Sequence, residues 1–130
     1  MSADAIETVR AVYDAISRGD GPAIVARLAP EIVIEQTPDL PWGGRYEGLA
    51  GYAKFASILR SHIDSKVTVD RIFAAGEDVV VTGRTIGATK RNAVAFEVAI
   101  AHVLTVREGK VVRARYFIDT PAMLAALSAS

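Results

Sequence analysis

The sequence predicts an α+β fold with the element order ααβαββββα. Apolar residues recur at helical spacing through the first part of the chain, and from Ser65 onward the period of the pattern changes to two. Clusters of turn residues then divide the second half into four strand-like runs. Helices followed by a four-stranded antiparallel meander are typical of the α+β class.

Two helices are predicted at the start of the chain. Residues 3–18 have an amphipathic pattern, and Gly19 ends it. Asp20 then provides an N-cap for a second, short helix that carries Pro22 in its first turn.

Two more helices are predicted further along. The third covers residues 48–63, and its apolar stripe consists of Leu49, Tyr52, Phe55, Leu59 and Ile63. The last is a short helix over residues 122–127, for which either Asp119 or Thr120 supplies the N-cap.

The strands have clear limits in the sequence. The first covers residues 32–36 and leads into a loop over residues 37–44, which contains two prolines and paired glycines. The four strands of the meander are residues 66–75, 79–88, 94–106 and 111–118.

The composition narrows the class of protein. At 130 residues the chain is expected to be one domain, residues 1–130, with enough length for a real core. Lys+Arg and Asp+Glu both number 15, so no basic surplus favours nucleic acid as a partner. Cysteine is absent, which excludes disulfides and thiolate chemistry. No apolar run approaches the ~18 residues of a membrane span and no signal peptide is recognisable, so we expect a cytoplasmic protein without a membrane partner.

The strand over residues 94–106 has two unequal faces. Bulky side chains alternate on one face, namely Phe96, Val98, Ile100, His102 and Leu104. The other face is small at its centre, at Ala99 and Ala101, and carries one carboxylate, Glu97. A hydrophobic content of 51% suggests an apolar cavity, a subunit interface, or both. We therefore expect the light face to line a cavity and the heavy face to lie at a subunit interface, with His102 there.

Three segments of the chain resemble the nuclear transport factor 2-like superfamily, and within it the SnoaL-like proteins, which are similar to polyketide cyclases and ketosteroid isomerases. They are Val12–Asp20, Gly43–Gly48 and Glu108–Asp119. The resemblance implies a cone-shaped fold, in which a curved, mainly antiparallel sheet wraps around the N-terminal helices and an apolar pocket. It also implies a homodimer, no cofactor, and a small apolar molecule as the ligand.

The resemblance argues against steroid isomerisation itself. The general base of ketosteroid isomerases falls on Gln36, their protonated acid on Ala101, and their donor tyrosine on Val12, next to Tyr13. Glutamine cannot abstract a proton and alanine cannot donate one. Epoxide hydrolases of the limonene type have a carboxylate where this chain has Tyr116, so their catalytic set is incomplete as well.

One group of polar residues is predicted to carry any chemistry. If the turn after the second strand of the meander is centred between residues 90 and 91, Arg84 stands opposite Glu97, and the resemblance directs both toward the pocket together with Tyr116 and Gln36. Glu97 would then be the general base or acid, Arg84 would polarise a substrate oxygen, and Tyr116 would donate a hydrogen bond. The alternative is that Arg84 and Glu97 form a buried pair with no catalytic role.

Other residues complete the expected pocket. Phe55 and Leu59 from the third helix and Thr82 beside Arg84 are assigned to it, as is Ala101. Trp42 is either a lid over an apolar ligand or an anchor for its loop.

Three further points stay open or negative at this level. Tyr13 either packs in the core or donates to a ligand. A register error of one residue would exchange Gln36 for Glu35 in the pocket. Two histidines 40 residues apart, without a carboxylate at short spacing, do not predict a metal site.

Two functions remain from the sequence. The first is a cofactor-independent proton-transfer enzyme, an isomerase, cyclase or dehydratase, that acts on a small or polycyclic apolar substrate. The second is a non-catalytic module for small-molecule binding or dimerisation.

Overall fold

A strongly curved sheet of six strands wraps around two of the helices. The computed structural model describes residues 2–129. Its helices are α1 (Ser2–Arg18), α2 (Gly21–Ala26), α3 (Gly48–His62) and α4 (Thr120–Ser128). Its strands are β1 (Leu28–Gln36), β2 (Gly44–Glu47), β3 (Ile63–Ala75), β4 (Asp78–Thr89), β5 (Ala95–Arg107) and β6 (Lys110–Ile118).

The α+β class and the antiparallel meander β3–β6 are confirmed. The spatial order is β2-β1-β6-β5-β4-β3, and β1 runs parallel to β6. The predicted order lacks β2, whose four residues pair antiparallel with the end of β1. That short edge strand was hidden because it directly follows a loop rich in proline and glycine.

Both predicted caps are present. The Asp20 carboxylate accepts a hydrogen bond from the backbone N–H of Ala23, at 3.1 Å, at the start of α2. Asp119 does the same for Ala122 at the start of α4, at 3.2 Å. Each cap satisfies one of the N–H groups that the first turn of a helix leaves without a partner.

The helices cover the heavy face of the sheet, which we call the inner face. Along β5 the buried residues are Phe96, Val98, Ile100 and Leu104. Phe96, Val98 and Leu104 share one core with residues of α1 and α3, such as Val9 and Phe55. The prediction that this face is the outward one is therefore wrong. An amphipathic helix needs apolar surface to pack against, and only the bulky face offers it.

A β-bulge decides which face of β5 lies beside Tyr116. The pairing of β5 with β6 shifts by one residue between Thr105 and Val106, so that His102 lies opposite Tyr116. Without that shift Ala101 would lie opposite Tyr116, as the expected pocket requires. One extra residue on one strand exchanges the faces of all that follows.

The bend of the sheet is visible at two glycines of β4. A Cβ atom on Gly83 would lie 2.0 Å from the carbonyl oxygen of Thr68, and one on Gly87 would lie 2.0 Å from that of Asp64. Such distances exclude any side chain at these two positions. The backbone of β3 can therefore approach β4 this closely only because both residues are glycine.

Within residues 2–129, none of the helices has the length and apolar character that a membrane crossing needs.

Candidate functional site

Four aromatic rings meet between the helices and the inner face, and we call them the inner cluster: Tyr13, Phe55, His102 and Tyr116. The ring centroids of His102 and Tyr116 are 4.6 Å apart, because the two residues face each other on β5 and β6. The Tyr13 ring, from α1, stacks on His102 at 5.9 Å. Phe55, from α3, lies 5.5 Å from Tyr116. The polar rings of Tyr13, His102 and Tyr116, from α1, β5 and β6, therefore lie together on the inner face.

The polar groups of the inner cluster are neutral. Burial lowers the pKa of His102 to about 4, so the imidazole is uncharged at neutral pH. Burial also raises the pKa of Tyr13 and of Tyr116 well above that of a free tyrosine, with a smaller contribution from Tyr116 at Tyr13 and from Tyr52 at Tyr116. Both phenols therefore keep their protons at neutral pH.

One hydrogen bond joins two members of the cluster, between the Tyr13 hydroxyl and Nδ1 of His102. Among the described residues, neither Nε2 of His102 nor the hydroxyl of Tyr116 has a hydrogen-bond partner, and neither atom is fully buried. His102 and Tyr116 are accordingly only partly exposed. These two polar atoms therefore keep some contact with solvent and have no hydrogen-bond partner within residues 2–129.

A recess of about 160 Å³ opens at the carboxyl ends of β1 and β6 and reaches the inner cluster through Tyr116. Its lining residues are Glu35, Gln36, Thr37, Tyr116, Phe117, Ile118 and Thr120. Gln36 lies on the inner face, and its amide nitrogen donates to the backbone carbonyl of Tyr116 at 3.2 Å. Its amide oxygen remains available as an acceptor at the edge of the recess.

Gln36, and not Glu35, lies on the inner side of β1, opposite Tyr116, which decides the alternative that the sequence left open. Glu35 faces the other way, and its carboxylate accepts from Arg113 at 2.6 Å. The recess is therefore lined by the Gln36 amide on its inner side and by the Glu35 carboxylate, paired with Arg113, on its outer side.

The predicted catalytic pair lies on the outer face. The Arg84 guanidinium and the Glu97 carboxylate are 2.5 Å apart, but their side chains are 42% and 54% exposed. The turn centre lies later than predicted, so that Arg84 is opposite Ala99, and Glu97 is opposite Ile86. The prediction that both residues lie in a pocket is therefore wrong. The alternative prediction, that they form a buried pair, is also wrong.

The two small residues assigned to the pocket are also on the outer face. Thr82 and Ala101 lie opposite each other on β4 and β5. Ala101 also pairs with Phe117 of β6, a residue that is 53% exposed. The light face thus forms an open outer surface instead of a cavity wall, because no helix covers it.

Trp42 is an anchor and not a lid, which decides between the two alternatives. Its side chain is only 1% exposed. Its backbone carbonyl and that of Gly43 accept hydrogen bonds from the Tyr46 hydroxyl, at 3.1 and 3.0 Å. These contacts fix the loop to the start of β2.

The remaining assignments concern residues that do lie inside. Tyr116 lies on the inner face as predicted, and Phe55 packs against it. Leu59 packs at the margin of the core. Tyr13 is a core residue with a satisfied hydroxyl, and its partner is His102.

His102 is the residue that sequence reasoning missed. The prediction placed it at a subunit interface, whereas it lies on the inner face, against the rings of Tyr13 and Tyr116. A usable signal existed, since a polar ring within an apolar stripe marks a buried polar group that needs a partner. Tyr13 on the stripe of α1 gives the same signal. Each residue follows by one position the place that the resemblance assigns to an oxyanion donor, at Val12 and Ala101.

Carboxylates are absent from the interior of the described part of the chain, where the buried polar residues are Thr8, Thr85 and Thr89. The partly buried carboxylates Glu35 and Asp78 are paired with arginines on the outer face. Within residues 2–129 no three His, Cys, Asp or Glu side chains are grouped so that they could hold a metal ion.

One family model and several solved structures match this chain. The family model of the SnoaL-like domain matches residues 9–114. A nuclear transport factor 2-like protein of unknown function from Burkholderia pseudomallei is 27% identical over 99% of this chain and 100% of its own, with a TM-score of 0.89. A nuclear transport factor 2-like protein from Burkholderia thailandensis is 29% identical over 95% of this chain and 96% of its own, with a TM-score of 0.88.

A more distant structure has the same fold. A putative SnoaL-like polyketide cyclase from Jannaschia is 22% identical over 99% of this chain and 94% of its own, with a TM-score of 0.86. No curated protein matches the chain.

Proposed function

The chain belongs to the SnoaL-like domain family, and from that membership we propose that it is a proton-transfer enzyme for a small, mainly apolar molecule with a carbonyl oxygen. The observation that carries the proposal is the pairing of His102 with Tyr116 on the inner face, at 4.6 Å between ring centroids, with neither polar atom fully buried.

The proposed chemistry is enolisation. The carbonyl oxygen of the substrate lies between Nε2 of His102 and the Tyr116 hydroxyl, and their hydrogen bonds stabilise the charge that develops on it. The neighbouring C–H then loses its proton to water in the recess, and the electron pair of that bond forms the enolate. Donors of this kind contribute about 10²–10³ each in rate when they point at a developing oxyanion.

The size of the site favours a small substrate. The recess of about 160 Å³ is well below the roughly 300–1,000 Å³ of sites for drug-sized ligands. A polycyclic substrate would need the rings of the inner cluster to move apart.

The test uses acetophenone as the probe and deuterium as the label. In D2O, the protein should accelerate the exchange of the methyl protons of acetophenone, which proton NMR follows as loss of the methyl signal. His102→Gln and Tyr116→Phe should each lower that acceleration by about 10²–10³. The matched control is Glu97→Gln, which removes the outer carboxylate and should leave the rate unchanged.

A non-catalytic binding module is the second candidate, and one observation favours it. No carboxylate is buried among the described residues, so the interior lacks a carboxylate that could act as a general base. For a binding module, acetophenone would bind to the wild type without any exchange above the buffer rate. Exchange that depends on His102 would exclude this candidate.

We also propose that two copies of the chain pair through the outer face, since no helix covers it. The support is a patch on β5 and β6 around Phe117, which is 53% exposed, next to Ala101 and Val103. Arg115 beside it has a buried Nε atom without a partner among the described residues. Apolar side chains ringed by ion pairs are what a self-complementary interface offers.

A further inference from the structure

Tyr13 and His102 form a pair whose hydrogen bond has a direction. We infer that the Tyr13 hydroxyl donates its proton to Nδ1 of His102 and thereby fixes the imidazole as the Nε2–H tautomer. His102 then presents a hydrogen-bond donor, and not an acceptor, at Nε2 beside Tyr116. Tyr13 is in this sense a positioning residue, because it acts on the ligand only through His102.

The two protons of the pair, one on the imidazole and one on the Tyr13 hydroxyl, decide the direction of the hydrogen bond. A neutral imidazole carries one ring proton, and the hydrogen bond between Tyr13 and Nδ1 is compatible with two arrangements. If Nδ1–H donated to the hydroxyl oxygen, the proton of Tyr13 would need another acceptor. Tyr13 is 8% exposed and makes no other side-chain hydrogen bond among the described residues. That arrangement would leave a buried donor without a partner, which is unfavourable.

Nε2, the other ring nitrogen of His102, is placed so that it can carry the ring proton. When Tyr13 donates, Nδ1 is the acceptor and the ring proton is on Nε2. That atom is not fully buried, so its N–H can be satisfied by water or by a ligand. Every polar hydrogen of the pair is then used or accessible.

The surroundings of the imidazole do not compete with this arrangement. The polar groups that face it are the hydroxyls of Tyr13 from α1 and Tyr116 from β6, and the residue opposite on β4 is Val81. Burial raises the pKa of Tyr13 and lowers that of His102, so both stay neutral at pH 7. No charged side chain therefore draws the ring proton to Nδ1.

The consequence for the ligand rests on the proposed function. With Nε2–H and the Tyr116 hydroxyl both available as donors, the site selects an oxygen that accepts two hydrogen bonds, such as that of a ketone. An apolar compound of the same shape without that oxygen leaves both donors unsatisfied.

The tautomer can be measured directly. In uniformly ¹⁵N-labelled protein at pH 7, long-range ¹H–¹⁵N correlation spectra distinguish protonated from unprotonated ring nitrogens. We expect unprotonated Nδ1 and protonated Nε2 for His102, whose signals His62→Gln assigns by elimination. A wild-type spectrum with Nδ1–H would overturn the inference without any variant.

Two variants separate a positioning role from a packing role. Tyr13→Phe keeps the ring and removes the donor, so the two nitrogen shifts of His102 should move toward each other as both tautomers become populated. Tyr46→Phe is the matched control, because its hydroxyl bonds to the carbonyls of Trp42 and Gly43 and does not contact His102. Unchanged nitrogen shifts in Tyr13→Phe would contradict the assignment.

Two probes test the ligand side. Acetophenone and α-methylstyrene have the same shape, and only the first has an acceptor oxygen. Acetophenone should shift the Nε2 signal and bind at least tenfold more tightly. Equal binding of both would contradict the donor role of His102. If the tautomer is as stated but neither probe binds, the tautomer assignment stands and the proposed function fails.

Discussion

Replacing His102 with a residue that does not titrate should remove a specific part of the acid sensitivity of the protein. His102→Asn is the suitable change, because the Asn side-chain oxygen can accept the Tyr13 hydroxyl near the place of Nδ1. The variant keeps that hydrogen bond and loses the ring proton equilibrium. The variant therefore tests the contribution of the His102 pKa alone.

The sign and size follow from the pKa of His102. Burial lowers it from the ordinary 6.5 to about 4, so above pH 6.5 the imidazole is neutral in both the folded and the unfolded chain. Between pH 6.5 and 4 the unfolded chain takes up the proton first, so the free energy of unfolding falls as the pH falls. At about 1.4 kcal/mol per pKa unit, the wild type should lose about 3 kcal/mol more than the variant between pH 7 and pH 4.

The assay is urea unfolding at a series of pH values, followed by the fluorescence of Trp42, the single tryptophan. Other groups titrate in the same range, and the difference between wild type and variant removes their contribution. His62→Asn controls for the loss of an imidazole as such, and should retain the extra acid sensitivity because His102 is still present. Parallel pH curves for wild type and His102→Asn would refute the buried, neutral imidazole.

Three further predictions concern the outer face and the bend of the sheet. Glu97→Gln should change the free energy of unfolding by less than about 1 kcal/mol in the same urea assay, since its ion pair is exposed; a larger loss would mean that the outer face is covered. Gly83→Ala should cost about 3 kcal/mol, because a Cβ would meet a backbone carbonyl at 2.0 Å, whereas Gly21→Ala, with open space around it, serves as the control; equal effects would count against the close crossing. Phe117→Glu should convert a dimer into a monomer in light scattering after gel filtration, and a wild type that is monomeric at high concentration would remove the proposed pairing.

Local signals in the sequence were sufficient for most of the fold. The period of the apolar residues marks helices and strands, and Asp20 and Asp119 cap helices as capping residues should. β2 was not recognisable, because four residues beside a proline- and glycine-rich loop have no periodicity of their own. Its pairing with β1 depends on tertiary structure.

The site could be predicted only in part, and the reason is the bulge between β5 and β6. Tyr116 and Gln36 lie on the inner side as expected, since β6 and β1 were oriented by the resemblance. A one-residue shift near Thr105 reversed the faces of β5, and with it the positions of Glu97 and His102. Nothing in the periodicity of a single strand reveals such a shift.

The sequence itself contains a signal that favours the opposite assignment of the two faces of β5. Small residues such as Ala99 and Ala101 suggest the wall of a cavity, but helices need bulky apolar surface beneath them. The heavy face of β5 therefore belongs under α1 and α3. Placed there, His102 meets Tyr13, and the two polar rings explain each other.

The central claim is that ligands bind at the inner cluster and not on the outer face. Chemical-shift mapping of the ¹⁵N-labelled protein during titration with acetophenone tests it most directly. The largest shifts should fall on Tyr116, Gln36 and the ring of His102, with none around Glu97. Shifts centred on Arg84 and Glu97, or the same shifts in His102→Gln as in the wild type, would contradict it.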